Sequence, residues 1–228
     1  MGMVNNSAAK AFTRLIVFAR LPILGEVKTR IAAELGKGVT LTMYRSLVYG
    51  VVQQALIAAA SFSPPITVEW HYAGNWDDLS FEDSMSIEQF HRGGVQLIAQ
   101  SGSDLGQRMC NALFTVDGPS ILFGSDVPGL DASVLLHALN VIVVQNKPLV
   151  FNPTADGGYC LIGRSATTQA SDVLKLFEHM PWSTNTVMSI TLERLIQMQL
   201  VNRDVAWQLL PPLADIDEPH QARAYLKL

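Results

Sequence analysis

The sequence predicts an α/β protein built on a mostly parallel, mixed sheet that is covered on both faces. Through the first half of the chain, short apolar segments alternate with longer segments of helical periodicity, an order typical of parallel strands joined by right-handed crossovers. The 228 residues are 49% hydrophobic and 16% charged, which suits a sheet buried on both sides. The second half of the chain is less regular, so we expect a mixed rather than a purely parallel sheet.

Each element is predicted from its periodicity and from the residues that begin and end it. Continuous or alternating apolar residues predict strands over residues 14–20, 66–73, 95–99, 121–124, 148–151, 158–163 and 205–210. Helical spacing predicts helices over residues 40–60, 104–116, 131–144, 184–200 and 218–226, with a short helix within residues 77–90. No repeat or linker interrupts this order. Residues 13–228 are therefore expected to form one domain after a flexible N-terminal segment, residues 1–12.

Charge and composition exclude several classes of function. The net charge of −4 and the isoelectric point of about 5.7 argue against a general nucleic-acid-binding surface. Cys110 and Cys160 form no zinc-binding pattern, and the polar start of the chain has no apolar signal segment, so a cytoplasmic protein is expected. No apolar stretch is long enough to span a bilayer. The apolar content is compatible with a homodimer as well as with a large core.

An apolar run leads into Gly-Ser-Asp126, which precedes a Pro-Gly break, in the segment SILFGSDVPGLD. This pattern is typical of a buried parallel strand that ends at a site, because ligands bind at the carboxyl ends of strands in open α/β sheets. A carboxylate there can hold a divalent cation against a phosphate. The alternative is that Asp126 begins a turn or caps the next helix.

A second candidate is the loop that follows the first predicted strand, which brings Gly25, Lys28, Thr29 and Arg30 close together. Glycine permits close approach of the backbone, and lysine and arginine form charge-assisted hydrogen bonds with phosphate. The spacing is neither that of a Walker A loop nor that of a Rossmann glycine motif. The loop is therefore a candidate phosphate-binding segment, with a solvated basic loop as the alternative.

Two further aspartate segments lie in the second half of the chain. Asp156, Gly157 and Gly158 stand between two predicted strands, where the glycines would let a ligand approach the backbone; an ordinary hairpin is the alternative. Asp215 and Asp217 alternate, so in an extended chain they share one face. A carboxylate facing Asp126 from this segment would complete an oxygen-rich Mg²⁺ or Mn²⁺ site, although Asp217 can equally cap the closing helix.

Taken in order, the segments ARLPILGEVKTR, GSDLGQRM, GSDVPGLD, PTADGGYCLIG and DIDEP resemble a bacterial family known as a domain of unknown function. That family belongs to the GT-A, or nucleotide-diphospho-sugar transferase, superfamily and is similar at longer range to the molybdenum-cofactor and phospholactate nucleotidyltransferases. The resemblance covers nearly the whole chain. It implies a three-layer α/β/α sandwich that binds a nucleotide at the carboxyl ends of the strands, with Lys28 and Arg30 on its phosphates.

The resemblance also implies roles for the aspartates. Asp126 would bind the metal ion, Asp217 would be the second metal ligand, and Asp156, Gly157 and Gly158 would line the acceptor or sugar side. This chain has a single aspartate after its strand where related enzymes have an Asp-x-Asp pair. Metal affinity in the absence of nucleotide is therefore expected to be weak.

Three functions follow as expectations. The first is a glycosyltransferase that binds a nucleotide sugar and Mg²⁺ or Mn²⁺, transfers the sugar to a small-molecule acceptor and uses Asp126 and Asp156 in catalysis, with Asp156 as the base. The second is a nucleotidyltransferase that joins a nucleoside triphosphate to a phosphorylated small molecule and releases pyrophosphate. The third is a non-catalytic nucleotide-binding protein. The fold alone identifies no substrate.

Overall fold

The computed structural model describes residues 12–202 and 204–228, and a seven-stranded mixed sheet lies at its centre. The spatial order of the strands is β3-β2-β1-β4-β6-β5-β7. Strand pairing is parallel from β3 through β4, β6 is antiparallel to both of its neighbours, and β7 is parallel to β5. In sequence order the strands are β1 Thr13–Arg20, β2 Ile66–Ala73, β3 Gln96–Ala99, β4 Ser120–Phe123, β5 Leu149–Pro153, β6 Tyr159–Arg164 and β7 Trp207–Leu209.

Helices cover both faces of this sheet and form three layers with it, which confirms the predicted fold class. Helices α2 and α5 pack on one face, and α4, α6 and α7 pack on the other. A third, smaller core joins α1, α2 and α8. The helices are α1 Thr29–Leu35, α2 Lys37–Ser61, α3 Phe81–Arg92, α4 Leu105–Phe114, α5 Ala132–Leu139, α6 Ala170–Phe177, α7 Val187–Val201 and α8 Pro219–Leu226.

The central strand β1 shows why its sequence is a continuous apolar run. Leu15 and Val17 point into the core under α2 and α5, whereas Ile16 points into the core under α4, α6 and α7. Successive side chains of a strand face opposite sides of the sheet, so a strand covered on both sides needs apolar residues at every position. All three side chains are fully buried.

Two helices were not predicted, and both lack the N-terminal signal on which a sequence-based prediction depends. Helix α1 begins after Lys28 and α6 begins after Gln169, and neither residue makes a side-chain capping bond. Helix α2 begins three residues before the predicted Thr40, at Lys37. The last turn of the helix predicted over residues 131–144 is a π-helical segment, Asn140–Val144.

Cys110 and Cys160 are free thiols. Of the N-terminal segment predicted to be flexible, residues 1–11 lie outside the described residues. Within the described ranges, no helix combines the length and apolarity needed to cross a bilayer.

A buried charged cluster ties β1 and β2 to the end of α4. Arg14 Nη1 donates to Glu69 Oε2 at 3.1 Å, and His71 Nε2 lies 2.8 Å from the same oxygen. The guanidinium also donates to the carbonyl oxygens of Ala112 and Leu113, at 2.9 and 2.6 Å. Burial lowers the pKa of Arg14, and the charge of Glu69 opposes this shift. The negative charge of Glu69 therefore compensates the buried positive charge of the Arg14 guanidinium.

We expect Glu69→Gln to lower the free energy of unfolding by about 3–5 kcal/mol, because it leaves a buried charge without its counter-ion. The matched control is Glu88→Gln, which removes an exposed ion pair with Arg92 on α3 and should cost less than about 1 kcal/mol. Urea denaturation at neutral pH measures both. Equal losses would mean that the buried pair contributes no more than a surface pair.

Candidate functional site

Lys28 joins two aspartates beyond the carboxyl ends of β1 and β4. Its Nζ lies 2.8 Å from Asp126 Oδ2 and 2.5 Å from Asp217 Oδ1. The Lys28 side chain is 9% exposed, while the side chains of Asp126 and Asp217 are 42% and 49% exposed. The ammonium of Lys28 is therefore nearly buried, whereas the two carboxylates that it contacts are partly exposed to solvent.

The backbone around Lys28 explains how the ammonium reaches this position. Val27, on the N-terminal side, is buried in the core under α2 and anchors the loop. Lys28 itself adopts a left-handed conformation, with φ of 46°, and serves as the N-cap residue of α1. This conformation is uncommon for a residue with a side chain. It turns the chain into α1, and the ammonium contacts the aspartates.

The other residues of the predicted phosphate loop lie further from the aspartates. Arg30 is on the first turn of α1, its side chain is 74% exposed, and Nη1 is 3.4 Å from Glu218 Oε1. Thr29 is exposed at the start of the same helix. Gly25 has a positive φ of 85°, and a side chain at this position would contact Lys37. The structure thus places Lys28 against the carboxylates of Asp126 and Asp217. Arg30 instead lies beside Glu218, the residue that follows Asp217.

The neighbouring carboxylates keep the Lys28 side chain protonated. Burial alone would lower the pKa of the ammonium, but the carboxylates of Asp126 and Asp217 outweigh it and raise the pKa above its usual value. Lys28 is therefore a fixed cation at neutral pH.

Helix capping does not account for either aspartate that Lys28 contacts. Asp131 caps α5, accepting from the backbone N–H groups of Ser133 and Val134 at 2.9 and 3.1 Å. Glu218, paired with Gln221 in a capping box, is the N-cap of α8. The carboxylates of Asp126 and Asp217 are thus available for other partners, and the alternative of a purely capping role is wrong for both.

Backbone hydrogen bonds hold three segments together at this edge of the sheet. The carbonyl of Asp126 accepts from the N–H of Ile216 at 2.9 Å. Ala155 N–H, in the turn between β5 and β6, donates to the carbonyl of Leu213 at 3.0 Å. The segment that carries Asp215 and Asp217 is therefore fixed between the turn after β4 and the β5–β6 turn.

A second acidic group surrounds Asp217. The carboxylates of Asp156, Asp215 and Asp217 each offer an oxygen within 4.8 Å of the others. Asp156 is oriented by Thr154 Oγ1 and by the N–H of Gly158, which donate to its Oδ1 at 2.5 and 3.0 Å. Burial and the neighbouring charge of Asp156 raise the pKa of Asp215. The predicted common face of Asp215 and Asp217 is confirmed by this geometry.

These donors fit a hard divalent cation. Mg²⁺ and Mn²⁺ prefer carboxylate and other oxygen ligands. Burial and, after it, the charge of Asp156 raise the pKa of Asp215, and a bound cation would relieve the repulsion between these carboxylates. Asp217 belongs both to the predicted pair with Asp126 and to the group with Asp156 and Asp215. The Asp126–Asp217 pair shares the ammonium of Lys28, so a cation bound there would compete with this side chain.

A cleft of about 300 Å³ opens beside these residues, and Asp126, Asp156, Asp215 and Asp217 all line it. Gly158 lines it as well. Gly157 has a positive φ of 91°, and the space that a side chain would need there is filled by the backbone of Asn185. The two glycines therefore differ, since Gly158 faces the cleft and Gly157 lets the turn pack on the loop before α7.

Sequence reasoning did not select several residues that line the cleft. Asp215 had a detectable signal, its alternation with Asp217, but was not chosen as a site residue. Thr154, Tyr159 and Trp182 also line the cleft. Thr154 and Tyr159 belong to the PTADGGYCLIG segment, and Trp182 precedes a predicted helix, but nothing in these segments distinguishes the three as cleft residues. They reach the cleft through the packing of β5, β6 and the loop before α7.

Comparison with solved structures places the fold in the nucleotide-diphospho-sugar transferase class. A candidate nucleotide-diphospho-sugar transferase from Desulfovibrio desulfuricans G20 matches with a TM-score of 0.73 at 24% identity, over 91% of this chain and 83% of that chain. The 4-diphosphocytidyl-2C-methyl-D-erythritol synthase from Anaerococcus prevotii DSM 20548 matches with a TM-score of 0.53 at 11% identity, covering 96% and 99% of the two chains. A candidate glucose-1-phosphate thymidylyltransferase from Bacillus anthracis gives 0.51 at 10% identity, covering 94% and 95%.

The chain belongs to the family described as "Uncharacterized protein conserved in bacteria (DUF2064)", whose profile matches residues 57–184. A search of the curated proteins finds no match. The predicted resemblance to a GT-A-like family is confirmed by the family match and by the shared fold.

Asp215→Asn should stabilise the protein at neutral pH, because the raised pKa of Asp215 means that its charged form is disfavoured in the folded state. The folded state favours the protonated form of Asp215. The destabilisation that the charged carboxylate causes in the native protein therefore decreases as the pH falls through the pKa of the folded state. The melting temperature of the variant should therefore exceed that of the native protein at neutral pH and converge with it in acid.

The control for this experiment is Asp204→Asn, which alters an exposed carboxylate in the turn before β7. Its melting temperature should follow that of the native protein at every pH. A lower melting temperature for Asp215→Asn at neutral pH would contradict the electrostatic interpretation.

Proposed function

We propose that this protein is a metal-dependent transferase that uses a nucleotide-activated donor, and that it transfers a glycosyl group. The observation that carries the proposal is the nearly buried Lys28 ammonium between Asp126 and Asp217, with the further pair Asp156 and Asp215 beside it. Cations and carboxylates together at the carboxyl edge of an α/β sheet suit the phosphates and the metal ion of a nucleotide.

In this proposal Lys28 and Arg30 bind the diphosphate of the donor. Lys28 provides a compact charge held by Asp126 and Asp217. Arg30 is exposed on the first turn of α1, which Thr29 begins, and Gly25 lies in the loop before it. Asp126 and Asp217 would hold Mg²⁺ or Mn²⁺, which would offset the charge that develops on the leaving diphosphate. Lys28 would turn from the carboxylates to the phosphate oxygens, so the ammonium would keep an anionic partner.

Asp156 and Asp215 serve the acceptor side, together with Gly158. The carboxyl groups are close enough to repel each other, and the pKa of Asp215 is raised by burial and by this neighbour. A pair of this kind takes up one proton more readily than an isolated carboxylate. We assign to Asp156, assisted by Asp215, the removal of the proton from the acceptor hydroxyl.

Nucleotidyl transfer would draw on the same residues, with Lys28 and Arg30 on a triphosphate. The products distinguish the two reactions, because glycosyl transfer releases a nucleoside diphosphate and nucleotidyl transfer releases pyrophosphate. Pyrophosphate release that depends on an added phosphorylated acceptor would favour the nucleotidyltransferase and contradict the glycosyl assignment.

The first test is a thermal-shift screen of the full chain with nucleotide sugars, nucleoside diphosphates and nucleoside triphosphates, each with and without Mg²⁺ or Mn²⁺. A ligand present at about 100 times its dissociation constant stabilises the folded state by about 2.7 kcal/mol. We expect metal-dependent stabilisation by at least one nucleotide sugar. Its absence for every ligand would contradict the proposed transferase and favour a protein without nucleotide-dependent activity.

Asp126→Asn should abolish the metal-dependent part of this stabilisation, because it removes one of the two carboxylates assigned to the metal ion. Lys28 keeps Asp217 as a counter-ion in this variant, and Asp126 is 42% exposed, so the melting temperature without ligand should fall only modestly. The control is Asp131→Asn in the same loop, where asparagine caps α5 as well as aspartate does. Unchanged nucleotide stabilisation in Asp126→Asn with metal present would remove this residue from the site.

Lys28→Met should weaken nucleotide binding by about 1.5–3 kcal/mol, the range for a hydrogen bond to a charged group. Isothermal titration with the ligand found in the screen measures this change. The control is Lys175→Met, which alters an exposed lysine on α6 and should leave affinity unchanged. Equal affinities for both variants would exclude Lys28 from phosphate binding.

A further inference from the structure

The cleft beside the aspartates has two chemically different parts. Four of the residues that line it are the carboxylates already described. Another part of its lining is apolar and is formed by α4, by β1 and β4, and by the loop and helix that follow α6. We call this surface the apolar wall, and its residues are Phe18, Leu105, Met109, Leu122, Trp182 and Val187.

The apolar wall is built from the core that packs under α4, α6 and α7. Met109 and Leu122 are members of that core, and Phe18 and Trp182 pack against it. Trp182 is held by an edge-to-face contact with Phe177, with ring centroids 5.5 Å apart. Leu105 remains 38% exposed at the first position of α4. The wall is therefore a supported surface that extends the core to the cleft.

The charge of the cleft decides which molecules it can accept. Among the described residues that line it are four carboxylates but no lysine, arginine or histidine. Lys28 is in contact with two of these carboxylates, Asp126 and Asp217. The proposed metal ion is held by Asp126 and Asp217 and engages the donor diphosphate, so it leaves Asp156 and Asp215 uncompensated. A phosphate group that entered beside Asp156 and Asp215 would therefore meet like charges, and the described lining residues offer it no compensating cation.

We propose that the apolar wall binds the acceptor, and that the acceptor is an uncharged alcohol with an apolar body and not a phosphorylated molecule. The inference deepens the proposed function and rests on it, because the acceptor hydroxyl is the nucleophile. The apolar body would lie on Leu105, Met109 and Trp182, and the hydroxyl would face Asp156 and Asp215. A volume of about 300 Å³ is within the range of small-molecule pockets.

The reaction balances with these groups. The hydroxyl oxygen forms a bond to the anomeric carbon of the sugar while the bond from that carbon to the diphosphate oxygen breaks. The hydroxyl proton passes to the carboxylate pair Asp156 and Asp215. The nucleoside diphosphate leaves with the electron pair of the broken bond.

The test compares two probes, naphthylmethanol and naphthylmethyl phosphate, by isothermal titration with the full chain, in EDTA and in Mg²⁺. We expect the alcohol to bind at least about tenfold more tightly than the phosphate ester under both conditions. Asp156→Asn should reduce this preference, and Asp172→Asn, on α6 away from the cleft, should not. A phosphate ester that binds as tightly as the alcohol, or no binding of either probe, would overturn the proposal.

A second pair of variants tests the apolar wall itself. Leu105→Asp places a charge on the wall at the first turn of α4, where an acidic residue is tolerated, and should weaken binding of the alcohol roughly tenfold. Ile196→Asp changes a similarly exposed residue on α7 and should leave binding unchanged. Circular dichroism checks that both variants are folded. Equal effects of the two substitutions would overturn the assignment of the wall.

Competition separates the acceptor from the nucleobase as occupant of the wall. Free nucleosides carry the base without phosphate, so their failure to displace the alcohol supports the acceptor assignment and displacement overturns it. The nucleotide screen fails or succeeds independently. If no nucleotide binds but the pocket still prefers the alcohol to the phosphate ester, the transferase proposal is contradicted. The preference of the pocket for an uncharged alcohol is then still supported.

Discussion

The arrangement of the site depends on one cation, the ammonium of Lys28. It binds Asp126, which follows β4, and Asp217, which is 189 residues away from Lys28 in the sequence. Two carboxylates this close to each other repel, and a lysine that is 9% exposed is stable as a charge only if anions surround it. The three groups therefore stabilise one another. Each is also fixed by its own backbone, as the hydrogen bond between Asp126 and Ile216 illustrates.

Strand direction brings the remaining aspartates to the same place. β6 is antiparallel to β4 and β5, so the short turn between β5 and β6 lies at the edge where β1 and β4 end. If β6 were parallel to β5, the two strands would need a crossover connection. Asp156 could then not lie in a short hairpin turn at this edge of the sheet. The reversal of a single strand thus puts Asp156 beside Asp215 and Asp217, which arrive from the segment after β7.

Local patterns in the sequence predicted those parts of the site that depend on local structure. Asp126 was identified because an apolar run that stops at a polar residue indicates the end of a strand. The common face of Asp215 and Asp217 followed from their alternation. The left-handed conformation of Lys28 leaves no such pattern, because α1 has no capping side chain that would mark its start. The apolar wall was also beyond sequence reasoning, since Leu105 and Trp182 come to line one cleft only through the packing of α4 against the loop after α6, where Gly106 lies against Trp182.

The balance of charge in the cleft links metal binding to phosphate binding in the proposed transferase. Lys28 leaves Asp126 and Asp217 uncompensated when it turns away, unless another cation takes its place. A divalent cation at the same carboxylates is opposed by the ammonium unless Lys28 finds another anion, and the donor diphosphate supplies one. Each ligand therefore removes the electrostatic cost of the other, which is positive coupling between two sites. In the proposed transferase this coupling would give a physical reason why the single aspartate of the GSDVPG segment suffices, since the metal ion would bind a site that the nucleotide completes.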